Sequence, residues 1–174
     1  FVDKLDSLGK FDVEEFNLPE IFSKAHNIHE LIYSKSLSYY FEKELKSKSL
    51  VSDVFYSLTE KAKNVSIPEF HNALDYQAKI RRILNNEFEK FDLILSLSTA
   101  DFAPLRDIQE KDDPSLIWTM CGNPAINVPI VDYTKSLPLG IQIVAKRFDD
   151  KLLLNFVKFL YNSKLINESK VFTP

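Results

Sequence analysis

Ala125-Ile-Asn-Val-Pro-Ile130 and Leu139-Gly-Ile-Gln-Ile-Val-Ala145 are short apolar runs bounded by Asn, Pro and Gly, and each predicts a β-strand. Upstream, Asp92-Leu-Ile-Leu-Ser-Leu97 predicts a third strand, buried on both faces. Asp113-Pro114 supplies an N-cap and a first-turn proline for a short helix between them, ending near Cys121-Gly122. Asp149-Asp150 opens a last helix on which Leu153, Phe156, Val157, Leu160 and Tyr161 recur at helical spacing. Phe148, Phe156, Phe159 and Tyr161 are read as packing residues. Helices alternating with strands predict an α/β protein, with helices packed on a mixed sheet.

The N-terminal half reads differently. Val2, Leu5 and Leu8 give a short helix that Gly9 ends as a C-cap, and Phe11-Asp-Val-Glu-Glu-Phe16 alternates roughly as a half-buried strand before Leu18-Pro19. No Met, capping residue or signal-peptide pattern stands at Phe1, so the chain reads as a piece that begins inside a helix. From 20 to about 46 the apolar positions Ile21, Phe22, Ala25, Ile28, Leu31, Ile32, Leu37, Tyr40, Phe41 and Leu45 predict one long amphipathic helix. Residues 51–63 predict a second. Ser66-Ile-Pro-Glu69 predicts the start of a third: Ser66 caps, Pro68 sits in the first turn and Glu69 completes a capping box. The expected organisation is a single segment, about 1–90 mostly helical and 91–163 forming the sheet and the C-terminal helix.

Composition narrows the function. The chain has 174 residues, and 22 Lys and Arg against 25 Asp and Glu leave a net charge of -3, so nothing general draws it to nucleic acid or anionic lipid. No apolar run approaches the roughly 20 residues that span a bilayer. Cys121 is the only cysteine, which excludes an internal disulfide or a cysteine-clustered metal site. The three glycines, Gly9, Gly122 and Gly140, are too scattered for a phosphate-cradling loop. His26 and His29 are three apart on one helix, but no HExxH-type carboxylate accompanies them, so no metal site is expected. G-x-S-x-G is absent, and Cys121 has no histidine near it in sequence and reads as a buried small hydrophobe. These residues alone form no complete catalytic site.

Gly122-Asn-Pro-Ala-Ile-Asn-Val-Pro129 and Leu137-Pro-Leu-Gly-Ile-Gln-Ile-Val144 carry the patterns G-x-P-A-x-x-x-P and L-P-x-G-x-Q-x-V, followed by Asp150 and Leu152-Leu153. Phe91-Asp-Leu-Ile-Leu-Ser96 fits Y/F-D-x-x-x-S/T, with Ala103-Pro104 behind it, although Leu97 stands where Pro is usual. Together these resemble the C-terminal region of the amidase signature family, most strongly from 91 to 153.

The resemblance implies an amidase-signature-like mixed sheet covered by helices, C-terminal part only. The family hydrolyses carboxamides with a serine nucleophile, a second serine in a cis peptide and a lysine. No Gly-Gly-Ser-Ser-like segment is present to receive those roles, so no catalytic residue is placed in this chain, and the chain alone is expected to be inactive. By position, Thr99, Asp101 and Phe102 in the loop after the first strand, with Trp118 and Cys121 on the short helix, border the family's substrate pocket. For Trp118 both pocket and core remain open, and its truncation is expected to shift substrate preference if it lines the pocket. The implied partners are the N-terminal catalytic portion of the same amidase and a small amide, with no cofactor, nucleic acid or membrane. Strands central to a larger sheet need that portion, or self-association as a homodimer, to cover them. A cytoplasmic location is expected. The alternative is a non-catalytic amidase-fold remnant or interaction subunit.

Overall fold

In the computed structural model, residues 1–108, 112–129, 137 and 139–166 are described. Helices α1 (Val2–Asp6), α2 (Ala25–Tyr40), α3 (Glu42–Leu45), α4 (Asp53–Lys61) and α5 (Ile67–Glu87) precede strand β1 (Leu93–Leu97). Helix α6 (Ser115–Cys121), strands β2 (Ala125–Pro129) and β3 (Gly140–Ala145), and helix α7 (Asp150–Asn162) follow. The chain divides into two compact units, Glu20–Ile83 and the rest, and the division falls inside α5.

In the helical unit, the long helix expected over 20–46 is three pieces: a 3-10 turn at Glu20–Lys24, then α2 and α3. The break is at Phe41, whose φ of -107° leaves the helical region. Its ring meets Phe55 of α4 edge-on at 5.3 Å, so an apolar side chain that periodicity assigns to one continuous stripe instead bends the chain. Lys35 Nζ stitches the two legs, donating to the carbonyls of Ala62 at 3.2 Å and Val65 at 2.8 Å. Ser52 caps α4 by accepting from the Phe55 N–H at 3.2 Å.

The start of α5 is built as the sequence predicts. Ser66 Oγ accepts from the Glu69 N–H at 3.3 Å, and Glu69 Oε2 accepts from the Ser66 N–H at 2.8 Å and its hydroxyl at 2.6 Å. The two bonds accepted by Glu69 hold its carboxyl below the ordinary carboxylate value. The native pKa is the lower one, so the stabilisation is full above the unfolded carboxylate pKa and is lost as pH falls through the lowered native value. The protection of the first-turn amides of α5, taken relative to intrinsic exchange at each pH, should therefore fall on acidification, and that fall should be absent in Glu69→Ala. Ser66→Ala should cost about 1 kcal/mol at neutral pH, read by thermal melting.

In the sheet unit, the strand order is β1-β3-β2 and both pairings are antiparallel. The register sets Leu93, Leu95 and Leu97 opposite Ala145, Ile143 and Ile141, and Ile126 and Val128 opposite Ile143 and Ile141. That apolar face packs with Leu5 of α1 and with Leu153 and Leu160 of α7. Phe11 joins from the N-terminal segment, edge-on to Phe156 at 5.5 Å and to Phe159 at 5.3 Å. Phe148 departs from the packing role expected of it: it is 85% exposed at φ 68°, in the turn into α7, with the Arg147 guanidinium 4.7 Å over its ring.

Gly122 caps the C-terminus of α6 in the left-handed region, at φ 73°, as expected. Gly9 also has a positive φ, 59°, but is not the C-cap expected of it: α1 already stops at Asp6, with Ser7 in the right-handed region as its cap. After Gly122 the Asn123 N–H reaches back to the Trp118 carbonyl at 3.0 Å, which sends the chain straight into β2. Asp113 Oδ1 accepts from the Ser115 N–H at 3.0 Å at the opening of α6. Ile130, the last residue of the expected second strand, lies outside the described residues, and β1 and β3 each begin one residue later than expected.

Candidate functional site

β1 delivers the loop that carries three of the five site residues. Thr99 and Asp101 are exposed, and Phe102 is 41% exposed. The Thr99 hydroxyl donates to the Asp101 carbonyl at 2.9 Å, and Asp101 Oδ1 accepts from the Phe102 N–H at 2.9 Å, so the three form one tight turn. The other two lie deeper: Trp118 is 3% exposed and Cys121 0%. The helix opened by Asp113-Pro114 buries Ile117, Trp118, Met120 and Cys121 together, leaving Leu116 half-buried, so its core face is wider than one stripe.

Trp118 links the two groups. Its indole N–H donates to Ser96 Oγ at 3.1 Å, tying α6 to β1 three residues before Thr99. Ser96 lies opposite Gln142, and Gln142 opposite Asn127, so one polar row crosses all three strands. Cross-strand partners share a face, and this row occupies the face away from the Leu153 and Leu160 core. Gln142 Oε1 is buried, and among the described residues nothing donates to it. Gly140 stands beside the row because a Cβ there would come within 2.2 Å of Asn127 Oδ1 and 2.9 Å of Ser98 Oγ. Ser98 uses the space, donating its hydroxyl to the Gly140 carbonyl at 2.9 Å.

The motifs fix Ser96 and Gln142 only as letters of a pattern and pass over Asn127, and none of the three is read there as a site residue. Their signal is the lone polar residue inside each apolar strand, which becomes a row only once the register is known. A polar row beneath a buried indole can orient a carboxamide, because hydroxyl and amide groups supply both donors and acceptors. It cannot by itself attack one.

The histidines remain apart from this. His29 stacks on Tyr33 at 5.6 Å, and burial, with His26 beside it, lowers its pKa below the ordinary value. Among the described residues no group of His, Cys, Asp and Glu could hold a metal ion, and no helix is long and apolar enough to cross a membrane.

Known proteins resemble the chain along most of its length. The amidase family model matches residues 1–154. A glutamyl-tRNA(Gln) amidotransferase subunit from a Nitratiruptor species is 28% identical over 158 residues, 81% of this chain and 32% of that protein. The corresponding subunit from Pelagibacter ubique is 26% identical over 163 residues, 86% of this chain and 31% of that protein. This chain thus spans about a third of the length of these relatives, 32% and 31%. Among solved structures, an amidase matches with a TM-score of 0.81 at 16% identity, over 95% of this chain and 40% of that one. The 6-aminohexanoate cyclic dimer hydrolase matches at 0.74 and 18% identity, over 93% and 39%. At such identities the likeness of the structures is one of fold, here α/β. Since the family match itself runs from Phe1 into α7 and takes in all three strands, the chain belongs to the amidase family.

Proposed function

We propose that this chain is the C-terminal portion of a carboxamide hydrolase of the Ser-cisSer-Lys type, forming one segment whose catalytic residues lie in a portion upstream of it. The observation that carries this reading is the family match over residues 1–154 in a chain that covers 32% of a relative's length and supplies no nucleophile-and-base set of its own. A serine hydroxyl attacks an amide only when a base takes its proton, and the developing oxyanion needs preorganised donors. In this reading the upstream portion brings both. This chain contributes the wall of the amide pocket: the turn at Thr99, Asp101 and Phe102, held in place through Ser96 by Trp118, with Cys121 packed behind. No cofactor takes part.

The test is the polypeptide with its preceding portion, assayed beside the 174-residue chain on a panel of simple amides. The longer protein should turn over amides and the 174-residue chain should not. Turnover by the short chain, abolished by changing one of its own residues, would overturn the assignment. So would an upstream sequence lacking a lysine followed by a Gly- and Ser-rich stretch with paired serines.

The names of the curated relatives favour a second reading, in which the chain works inside an amidotransferase built from several subunits. A catalytically silent version of it is an interaction subunit that keeps the fold. Co-purification with other subunits, without amide turnover, would select it.

A further inference from the structure

While Leu153 and Leu160 of α7 are buried in the sheet core, an outward stripe of the same helix carries Asp150, Leu154, Lys158 and Tyr161, all exposed. Leu154 is 60% exposed and Tyr161 48%. Just before the helix, Phe148 is held in the left-handed region at φ 68°, a strained conformation for a phenylalanine, with the Arg147 guanidinium 4.7 Å over its exposed ring. Among the described residues, Arg147, Asp150 and Lys158 enter no ion pair.

The stripe is ordered about Leu154. Asp150 and Lys158 lie four residues before and after it, and Arg147 and Tyr161 seven residues before and after it. Steps of four and seven return to the same side of a helix, so Asp150, Leu154, Lys158 and Tyr161 form one row, and Arg147 continues it by position beyond the first turn. Within one helix Asp150 and Lys158 are about 12 Å apart along the axis, too far to pair. A second α7 laid antiparallel, with a two-fold axis at Leu154, brings each Asp150 against Lys158 of the second copy. It also sets Leu154 on Leu154, and each Arg147 against the ring of Tyr161 of the second copy, a cation over an aromatic face. A two-fold contact requires one patch to complement itself, and this row does so at every position. Parallel helices would instead set Asp150 on Asp150 and Lys158 on Lys158. An anionic lipid surface or a nucleic acid would meet Asp150 as well as Lys158, so the balanced charge of the row favours neither.

We propose that the outward face of α7 is a contact between two copies of this protein, with the helices antiparallel and the two-fold axis at Leu154. A pair of 13-residue helices buries less than the roughly 1,600 Å² of a standard interface, so the dimer is a weak one, with a Kd on the order of 10 μM.

Sedimentation equilibrium on the polypeptide with its preceding portion tests this. The protein should pass from monomer to dimer across the micromolar range. Leu154→Lys, at an exposed position and so without cost to the fold, should weaken the dimer on the order of 100-fold. Lys158→Asp should weaken it about 10-fold by setting like charges together, and adding Asp150→Lys should restore it to within about 3-fold of the starting protein. Thermal melting of each variant at concentrations below the Kd checks that the fold is kept. A protein that stays monomeric at about 200 μM overturns the proposal, and that is the outcome if the preceding portion covers α7. A dimer indifferent to Leu154→Lys, or a double reversal no tighter than the single one, overturns it equally. Amide turnover has no part in these readouts, so the hydrolase reading stands or falls separately.

Discussion

Trp118→Ala is expected to destabilise the sheet unit by about 3–5 kcal/mol, the cost of removing a large buried aromatic side chain. The ring is 3% exposed, and its N–H is bonded to Ser96, so the substitution leaves both a cavity and an unpaired hydroxyl. Trp118→Phe keeps most of the volume and loses only the donor, and should cost about 1 kcal/mol. Thermal melting of the three proteins checks both values. A loss below about 1 kcal/mol for Trp118→Ala would show that the site collapses freely and that the indole is no keystone. In the longer enzyme, the ratio of kcat/KM for a bulky and a small amide reads the pocket role independently. Trp118→Phe should shift that ratio if the indole orients the loop through Ser96, and unchanged ratios would leave Trp118 to the core alone.

The second large effect belongs to the central strand. Ile143→Ala should cost about 2–5 kcal/mol, because Ile143 is 0% exposed and sits between Leu95 of β1 and Ile126 of β2. It packs in the same cluster as Leu153 and Leu160, so the loss should be felt in sheet and helix together. Phe148→Ala, although it removes a larger side chain, should stay within about 0.5 kcal/mol, since its ring lies outside the packed core. Equal melting curves for the two variants would mean that the burial pattern of β3 and its following turn is wrong.

Local signals are legible where one residue type satisfies one local need. The capping box at Ser66 and Glu69 and the left-handed end at Gly122 depend only on neighbouring backbone groups, and both are found as expected. Elements that depend on a distant partner are less so. Phe41 belongs to the apolar stripe by spacing, yet its contact with Phe55 breaks the helix there. Phe11 to Phe16 alternates as a strand should, but among the described residues nothing pairs with it. Phe148 belongs to the core by its chemistry and is placed outside by a positive φ that periodicity does not report.

What the sequence determined by itself is the family, the α/β class and the position of the strands, because the proline- and glycine-bounded runs at 122–129 and 137–144 encode turn geometry and strand length within a few residues of each other. Tertiary structure alone decided the strand order β1-β3-β2, with β3 central although it comes last. It also decided the polar row of Ser96, Gln142 and Asn127, the tie from Trp118 to Ser96, and, among the described residues, the place of β1 at the edge of the sheet. The reason is physical. Turn and capping preferences act over three or four residues, while cross-strand neighbours here lie tens of positions apart in sequence and are chosen by which faces can be buried together.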